Sequence, residues 1–317
     1  MIEAENLTKY FGSKAAIRDV SLRVKEGEIV GFLGPNGAGK TTTMRILTCF
    51  FPPTSGRARV AGYDVMENSL EVRRQVGYFP EKAPIPQDMT VKSYLHMVAE
   101  IKGVKRKDRK KKLAAVIERF GIKNVVSKSI KRLSKGYQQR VCLAQAFIHD
   151  PSILILDEPT IGLDTEQVVT IRRIIKELAG QKTILLSTHI LPEVSMTCQK
   201  VIIINEGRIV AVDTPENLTS RLQKASQIQL KLEGPTTEEV VKELKKVPHV
   251  LEVEESGPVT GSILSYLVKF EKNAVNTPRD IAVRVQGKSW GLYEMRSVVM
   301  SLEEVFLKLV TEEGVEK

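Results

Sequence analysis

Over the first sixty positions, apolar residues run together or alternate with polar ones at Ile2–Leu7, Ala15–Val24 and Glu28–Leu33, between glycine-bearing and charged turns. That pattern predicts strands. The stretch Gly34–Thr42 breaks it and opens into a helical pattern over Thr43–Cys49. After a turn-forming Pro52–Gly56, further strands are expected at Arg57–Val60 and Val76–Phe79. From Val91 to about Val141 the spacing is helical, as in Tyr94, Val98 and Ile101, then Leu113, Val116, Ile117 and Phe120. From Ile153 onward strands and helices alternate: Ile153–Leu156, Gln167–Ala179, Thr183–Ser187, Leu191–Met196 and Lys200–Asn205. Alternation of this kind predicts a parallel sheet covered by helices, and the block before it predicts a helical subdomain near residues 85–150.

The pattern changes again near Leu218–Ala225. Strand Gln227–Leu232, helix Thr237–Val247, strands Val250–Glu255 and Ser262–Phe270, helix Pro278–Val285 and strand Gly291–Val299 give the order βαββαβ, that of a ferredoxin-like sandwich. Pro235–Glu239 is a suitable helix start, with carboxylates in the first turn, and a last helix is expected at Leu302–Thr311. Two domains follow, 1–220 and 221–317. The second holds no catalytic constellation and reads as a regulatory or dimerising module.

Composition narrows the class. With 317 residues and 42% hydrophobic positions the chain can bury a large core. The N-terminus lacks the apolar segment of a secretory signal, and no apolar run approaches the ~20 residues of a membrane-spanning helix. Cys49, Cys142 and Cys198 have no paired spacing and no histidine cluster nearby, so free thiols in a reducing cytoplasm are expected. The net charge of +10 lies wholly before Arg221, concentrated in Lys102–Lys112. Such a run fits either a solvated helix face or anionic headgroups at a membrane; without interleaved aromatics it does not point to nucleic acid.

Gly34-Pro35-Asn36-Gly37-Ala38-Gly39-Lys40-Thr41, followed by Thr42, matches G-x-x-x-x-G-K-[ST] between a predicted strand and a predicted helix. The glycines let backbone N–H groups turn onto phosphate oxygens, and the helix adds its positive end. Lys40, expected at an exposed loop end, would reach the β- and γ-phosphates of ATP, and the Thr41 hydroxyl would coordinate Mg2+. Asp157 and Glu158 close the apolar strand Ile153–Leu156, where ligands bind in open α/β sheets. Asp157 would hold the metal through water and Glu158 would polarise the attacking water. The alternative is an acidic pair that caps the next helix.

These motifs fit kinases, GTPases, helicases and transport ATPases alike. Leu133-Ser134-Lys135-Gly136-Tyr137-Gln138-Gln139-Arg140 separates them, because here the chain resembles the ABC ATPases, whose signature reads LSGGQ. Ser134 and Gly136 match; Lys135 replaces a glycine and Tyr137 takes the usual glutamine position. The following helix, read as Gln138–Phe147, offers its N-terminus to an anion. Other elements fall in order along Ile2–Pro215. Phe11, or else Tyr10, would stack on adenine. Glu81 stands where the family has a metal-touching glutamine, unless it is a plain surface carboxylate. Ile161-Gly162-Leu163-Asp164 matches the loop through which subunits communicate, and His189 the switch histidine that meets the γ-phosphate.

The resemblance implies an α/β P-loop NTPase fold: a mixed sheet with an antiparallel β subdomain and a helical subdomain, plus the small α+β C-terminal domain. It implies a head-to-tail dimer with a second copy, in which Ser134 and Gly136 reach ATP held by the partner. It also implies a multi-span permease and a peripheral place on the inner face of the cell membrane. The C-terminal extension, ending Ser301-Leu302-Glu303-Glu304-Val305-Phe306-Leu307, resembles that of ABC-2 type exporters, specifically gliding-motility and drug-resistance ATPases. A soluble ABC ATPase of translation or repair is the competing class; the single phosphate loop and the lack of a long heptad insertion count against it.

Overall fold

The computed structural model describes all residues except 83, 223–224, 289, 299–300 and 313–317, so Val299 of the expected final strand lies outside it. The chain forms two compact units, Met1–Pro215 joined by the segment from Leu309, and Glu216–Lys308.

The first unit is built on two sheets. Strands β1 (Ile2–Phe11), β2 (Lys14–Val24), β4 (Ser55–Val60) and β5 (Tyr63–Asp64) form an antiparallel sheet in the order β2-β1-β4-β5. One face is dry and the other wet, so these strands alternate in burial; Ile17, Val20, Leu22 and Val24 point inward from β2. The larger sheet takes β3 (Ile29–Leu33), β6 (Val76–Phe79), β7 (Ile153–Asp157), β8 (Thr183–Thr188), β9 (Lys200–Asn205) and β10 (Arg208–Asp213) in the order β10-β9-β3-β8-β7-β6. Its pairings are parallel except β9 with β10. Every residue of β3, β7 and β8 is buried, as unbroken apolar runs require in a sheet covered on both faces.

Helices α1 (Lys40–Leu47), α2 (Ser69–Gln75), α6 (Thr165–Lys176) and α7 (Leu191–Thr197) accompany the sheets, while α3 (Val91–Ile101), α4 (Arg106–Arg119) and α5 (Lys135–Phe147) form the expected helical block. α5 starts at Lys135, not at Gln138. Ser134 takes the extended backbone of an N-cap and its Oγ accepts from Tyr137 N–H (3.5 Å), which outweighs the poor helix propensity of Gly136. The basic run is not wholly solvated either. Lys102 donates to Arg73 O (2.8 Å) and Val76 O (3.1 Å), and burial lowers its pKa to about 8. Cys142 and Cys198 are buried free thiols, pushed up to about 12 by burial, and Cys49 is half-buried.

The second unit takes α8 (Pro215–Leu222) from Glu216 on, then β11 (Ala225–Glu233), α9 (Thr237–Leu244), β12 (Val250–Thr260), β13 (Ile263–Glu271), α10 (Thr277–Gly287), β14 (Gly291–Val298) and the closing helix α11 (Leu302–Glu312) as far as Lys308. The antiparallel order β12-β13-β11-β14 is that of a βαββαβ ferredoxin-like sheet. One face of the sheet supplies Ile228, Leu230, Tyr266 and Val268; α9 supplies Val240 and Leu244, and α10 supplies Ile281 and Val285. The Thr236 hydroxyl and the Glu239 carboxylate close a capping box on α9, fixing the helix start that the sequence marks.

Candidate nucleotide site

Between β3 and α1 the glycine loop is held at both ends by contacts that leave no room for a side chain. A Cβ on Gly34 would stand 2.3 Å from Ile204 O, and one on Gly39, whose φ is +107°, 2.5 Å from the Ile17 side chain. Gly37, with φ +80°, faces open space. Thr43 N–H makes its α-helical bond to Gly39 O (2.9 Å), so the amides of Lys40, Thr41 and Thr42 precede the ladder and have no partner within the helix. They open onto a cleft of about 330 Å3 whose lining includes Asn36, Lys40, Thr41, Glu81 and Glu158. Lys40 is not an exposed loop end. It is only 6% exposed, donates to Gly34 O (2.7 Å) and Pro35 O (3.2 Å), and lies 3.5 Å from Glu158 Oε1. The sequence reading fails there because the loop wraps its own lysine.

The two carboxylates that end β7 sit in different surroundings. Asp157 is fully buried, and Oδ1 accepts from Ser187 Oγ. Burial raises its pKa above the usual carboxylate range, and the nearby charges of Glu81 and Glu158 raise it further, against Ser187 and Thr41. Its Oδ2 is buried without a hydrogen-bond partner, and the Thr41 hydroxyl is close enough to act on the carboxyl. An orphaned carboxylate oxygen beside a hydroxyl and a second carboxylate is the donor set of a hard divalent cation. Among the described residues no three His, Cys, Asp or Glu side chains form a ready-made metal site, so such a cation needs further oxygens from a ligand.

Glu158 takes a left-handed backbone, φ 52°, held by bonds from its N–H to Ser187 O (3.2 Å) and Ser187 Oγ (3.0 Å). The turn aims its carboxylate at the cleft, where Oε1 faces Lys40 and Oε2 meets His189 Nδ1 at 2.9 Å. A carboxylate only accepts, so Nδ1 carries the ring proton in this contact. Lys40, Glu158 and His189 are thereby brought together from three distant parts of the chain.

The remaining expected residues stand elsewhere. Ser134, which is exposed, and Gly136 begin α5, Asp164 caps α6 by accepting from Gln167 N–H (2.9 Å), and none of the three lines the cleft. Phe11 is half exposed at the end of β1, with its ring edge against Phe51 (5.5 Å between centroids), and Tyr10 beside it is 42% exposed. Sequence reasoning missed Ser187, whose Oγ donates to the Asp157 carboxylate and accepts from the Glu158 N–H. It also missed Gln139, whose Nε2 donates to Ile161 O (2.9 Å) and so ties α5 to the loop Ile161–Asp164.

Backbone amides at a helix start, a buried ammonium and a carboxylate at a strand end converge on one cleft, shaped for a chain of phosphates. The class defined is a P-loop NTPase. The ABC transporter family model matches residues 17–161. NatA, an ABC transporter ATP-binding protein of Bacillus subtilis, is 38% identical over 205 residues, 64% of this chain and 83% of NatA. Nod factor export ATP-binding protein I of Burkholderia orbicola is 31% identical over 313 residues, 98% of this chain and 97% of its own length. A bacterial ABC transporter cassette solved as a dimer matches with a TM-score of 0.63 and 25% identity, over 68% of this chain and 98% of the cassette. The chain belongs to the ABC transporter family, as an ATP-binding subunit with ATPase activity. Among the described residues, no helix is long and apolar enough to cross a membrane.

Proposed function

We propose that two copies of this chain close on two Mg-ATP molecules and drive a separate membrane permease, of the ABC-2 exporter type, from the inner face of the membrane. The observation that carries this reading is Glu158, held by Lys40 and His189 at the mouth of the phosphate cleft. On binding, Lys40 exchanges the Gly34 and Pro35 carbonyls for the β- and γ-phosphates, the free amides of Lys40, Thr41 and Thr42 cradle the same oxygens, and Phe11 or Tyr10 stacks on adenine. Glu158 accepts the proton of the attacking water as the terminal phosphate separates from ADP, and His189 turns its Nδ1–H from Glu158 to donate to that phosphate. Thr41 and Asp157 would hold Mg2+, with Glu81 at its edge; bound there, the cation neutralises phosphate charge.

Ser134 and Gly136 lie outside their own chain's cleft, which supports their use on ATP held by a second copy, with Asp164 at the same junction. The dimeric cassette among the solved relatives supports the same arrangement. A groove of about 450 Å3, lined by Glu81, Ile85, Gln138, Gln139 and Cys142, suits a short helix from a permease. Export, as opposed to import, draws on the relative named for Nod factor export, which aligns along nearly the whole chain. Residues 221–317 regulate or dimerise; nucleic acid is not a partner. The test is Glu158→Gln. It removes the base but keeps the shape, so steady-state hydrolysis falls at least a hundredfold while ATP still binds and yields a dimer on gel filtration. Near-normal turnover would remove Glu158 from the role.

A further inference from the structure

Glu193, in α7, is a carboxylate only 1% exposed, and it does not line the nucleotide cleft. A buried carboxylate persists only with partners, and those of Glu193 are specific. Its Oε2 accepts from Thr160 Oγ1 (2.9 Å) and from Thr188 Oγ1 (3.2 Å), and its Oε1 lies 3.7 Å from Arg172 Nη2 on α6. Thr160 follows Glu158 by two residues and directly precedes the loop Ile161–Asp164; Thr188 directly precedes His189. The Thr188 hydroxyl is fixed at both ends, since it also accepts from Ile190 N–H (3.0 Å). His189 Nδ1 in turn meets Glu158 Oε2 at 2.9 Å. The result is a closed circuit. It runs along the backbone from Glu158 to Thr160, across to Glu193, across to Thr188, along to His189 and back to Glu158.

We propose that Glu193 is a positioning residue for ATP hydrolysis, setting the His189 turn and the Ile161–Asp164 loop in one register around Glu158. The inference rests on the proposed roles of Glu158 and His189. Without the carboxylate, both threonine hydroxyls lose their acceptor, and each of the two loops is free to settle without the other. A displacement of about 1 Å in a reacting group costs on the order of a hundredfold in rate, so a small drift suffices.

The experiment compares Glu193→Ala and Glu193→Gln in the full chain by phosphate release, ATP binding and thermal unfolding. Glu193→Ala is expected to lower kcat at least tenfold with KM for ATP within about threefold, because the phosphate loop is untouched. Glu193→Gln keeps an acceptor oxygen for the two hydroxyls and is expected to recover most of kcat. The decisive readout is non-additivity. In a His189→Ala background, Glu193→Ala should add less than about twofold, and so it should after Thr160→Val with Thr188→Val. These last two also carry the test if Glu193→Ala does not fold. A kcat within twofold of the parent, a loss confined to KM, no recovery by glutamine, or full additivity with His189→Ala would overturn the proposal. Glu158→Gln serves as the control: if that variant stays active, the roles assigned around it fail; if it is dead while Glu193 effects are additive, Glu193 alone is misassigned.

Discussion

Replacing Lys40 by methionine separates what this side chain does for the fold from what it does for the ligand. In the fold its ammonium makes two bonds to loop carbonyls and sits 3.5 Å from Glu158, with both side chains over nine-tenths buried. At an effective dielectric of about 20 that separation corresponds to roughly 5 kcal/mol of gross attraction, largely offset by desolvation. Removing one partner of a buried pair typically costs about 3–5 kcal/mol. Here Glu158 keeps His189 and borders an open cleft, so about 1–3 kcal/mol is the appropriate range. For a unit of this size that lowers Tm by roughly 2–10 °C. The ligand loses more. Each bond moved from a neutral carbonyl to an anionic phosphate oxygen gains about 1–2 kcal/mol because both partners are then charged, so the two together gain about 2–4 kcal/mol. The dissociation constant for ATP should therefore rise roughly 30- to 1000-fold. Calorimetric titration of the folded variant, alongside thermal unfolding with and without nucleotide, reads both quantities. A folded Lys40→Met chain that binds ATP within threefold of the parent would refute the assignment, as would a Tm loss too large to leave a folded protein to titrate.

Acid should weaken the first unit through His149. Burial first, then Lys102 and Lys112, hold its folded pKa down to about 4 from 6.5, against the nearby Asp150. The unfolded chain therefore binds the proton first, and stability is lost as pH falls from about 6.5 towards 4, by roughly 1–3 kcal/mol. Urea titrations at pH 7 and pH 5 should show that loss in the parent and a smaller one in His149→Gln; an equal loss in both removes His149 as the cause. A chain ending at Ser220 should still bind Mg-ATP, with an altered basal rate or partner assembly. Absence of nucleotide binding in a folded truncation would contradict an accessory role for the second unit.

What the sequence made legible was local. The glycine spacing of 34–39, the apolar runs of β3, β7 and β8 and the single-faced alternation of the second unit each state their structure within a few residues. The short α2 and β10 carry no comparable signal: α2 buries only Val72 among its seven residues, and β10 is an edge strand with no fully buried residue. The site was readable as a set of residue types, and its wiring was not. Lys40 and Glu158, Glu158 and His189, and Ser187 and Asp157 meet across long stretches of chain. Nothing in the neighbourhood of Ser187 or Glu193 distinguishes a buried polar support from an ordinary strand or helix residue. The start of α5 failed for the opposite reason, since one capping hydroxyl outweighed the local propensity that Gly136 suggests.

The central claim, that each ATP is completed by Ser134 and Gly136 of a second copy, is most directly tested by crosslinking between chains. One population carries Lys135→Cys and the other Asn36→Cys, both at exposed positions beside Ser134 and Gly37, with Glu158→Gln in each to hold ATP unhydrolysed and the native cysteines replaced. Mixed chains should join through a disulfide in Mg-ATP and stay apart in ADP or without nucleotide. Disulfides that form equally without ATP, or none at all in mixtures that bind ATP normally, would contradict the shared site.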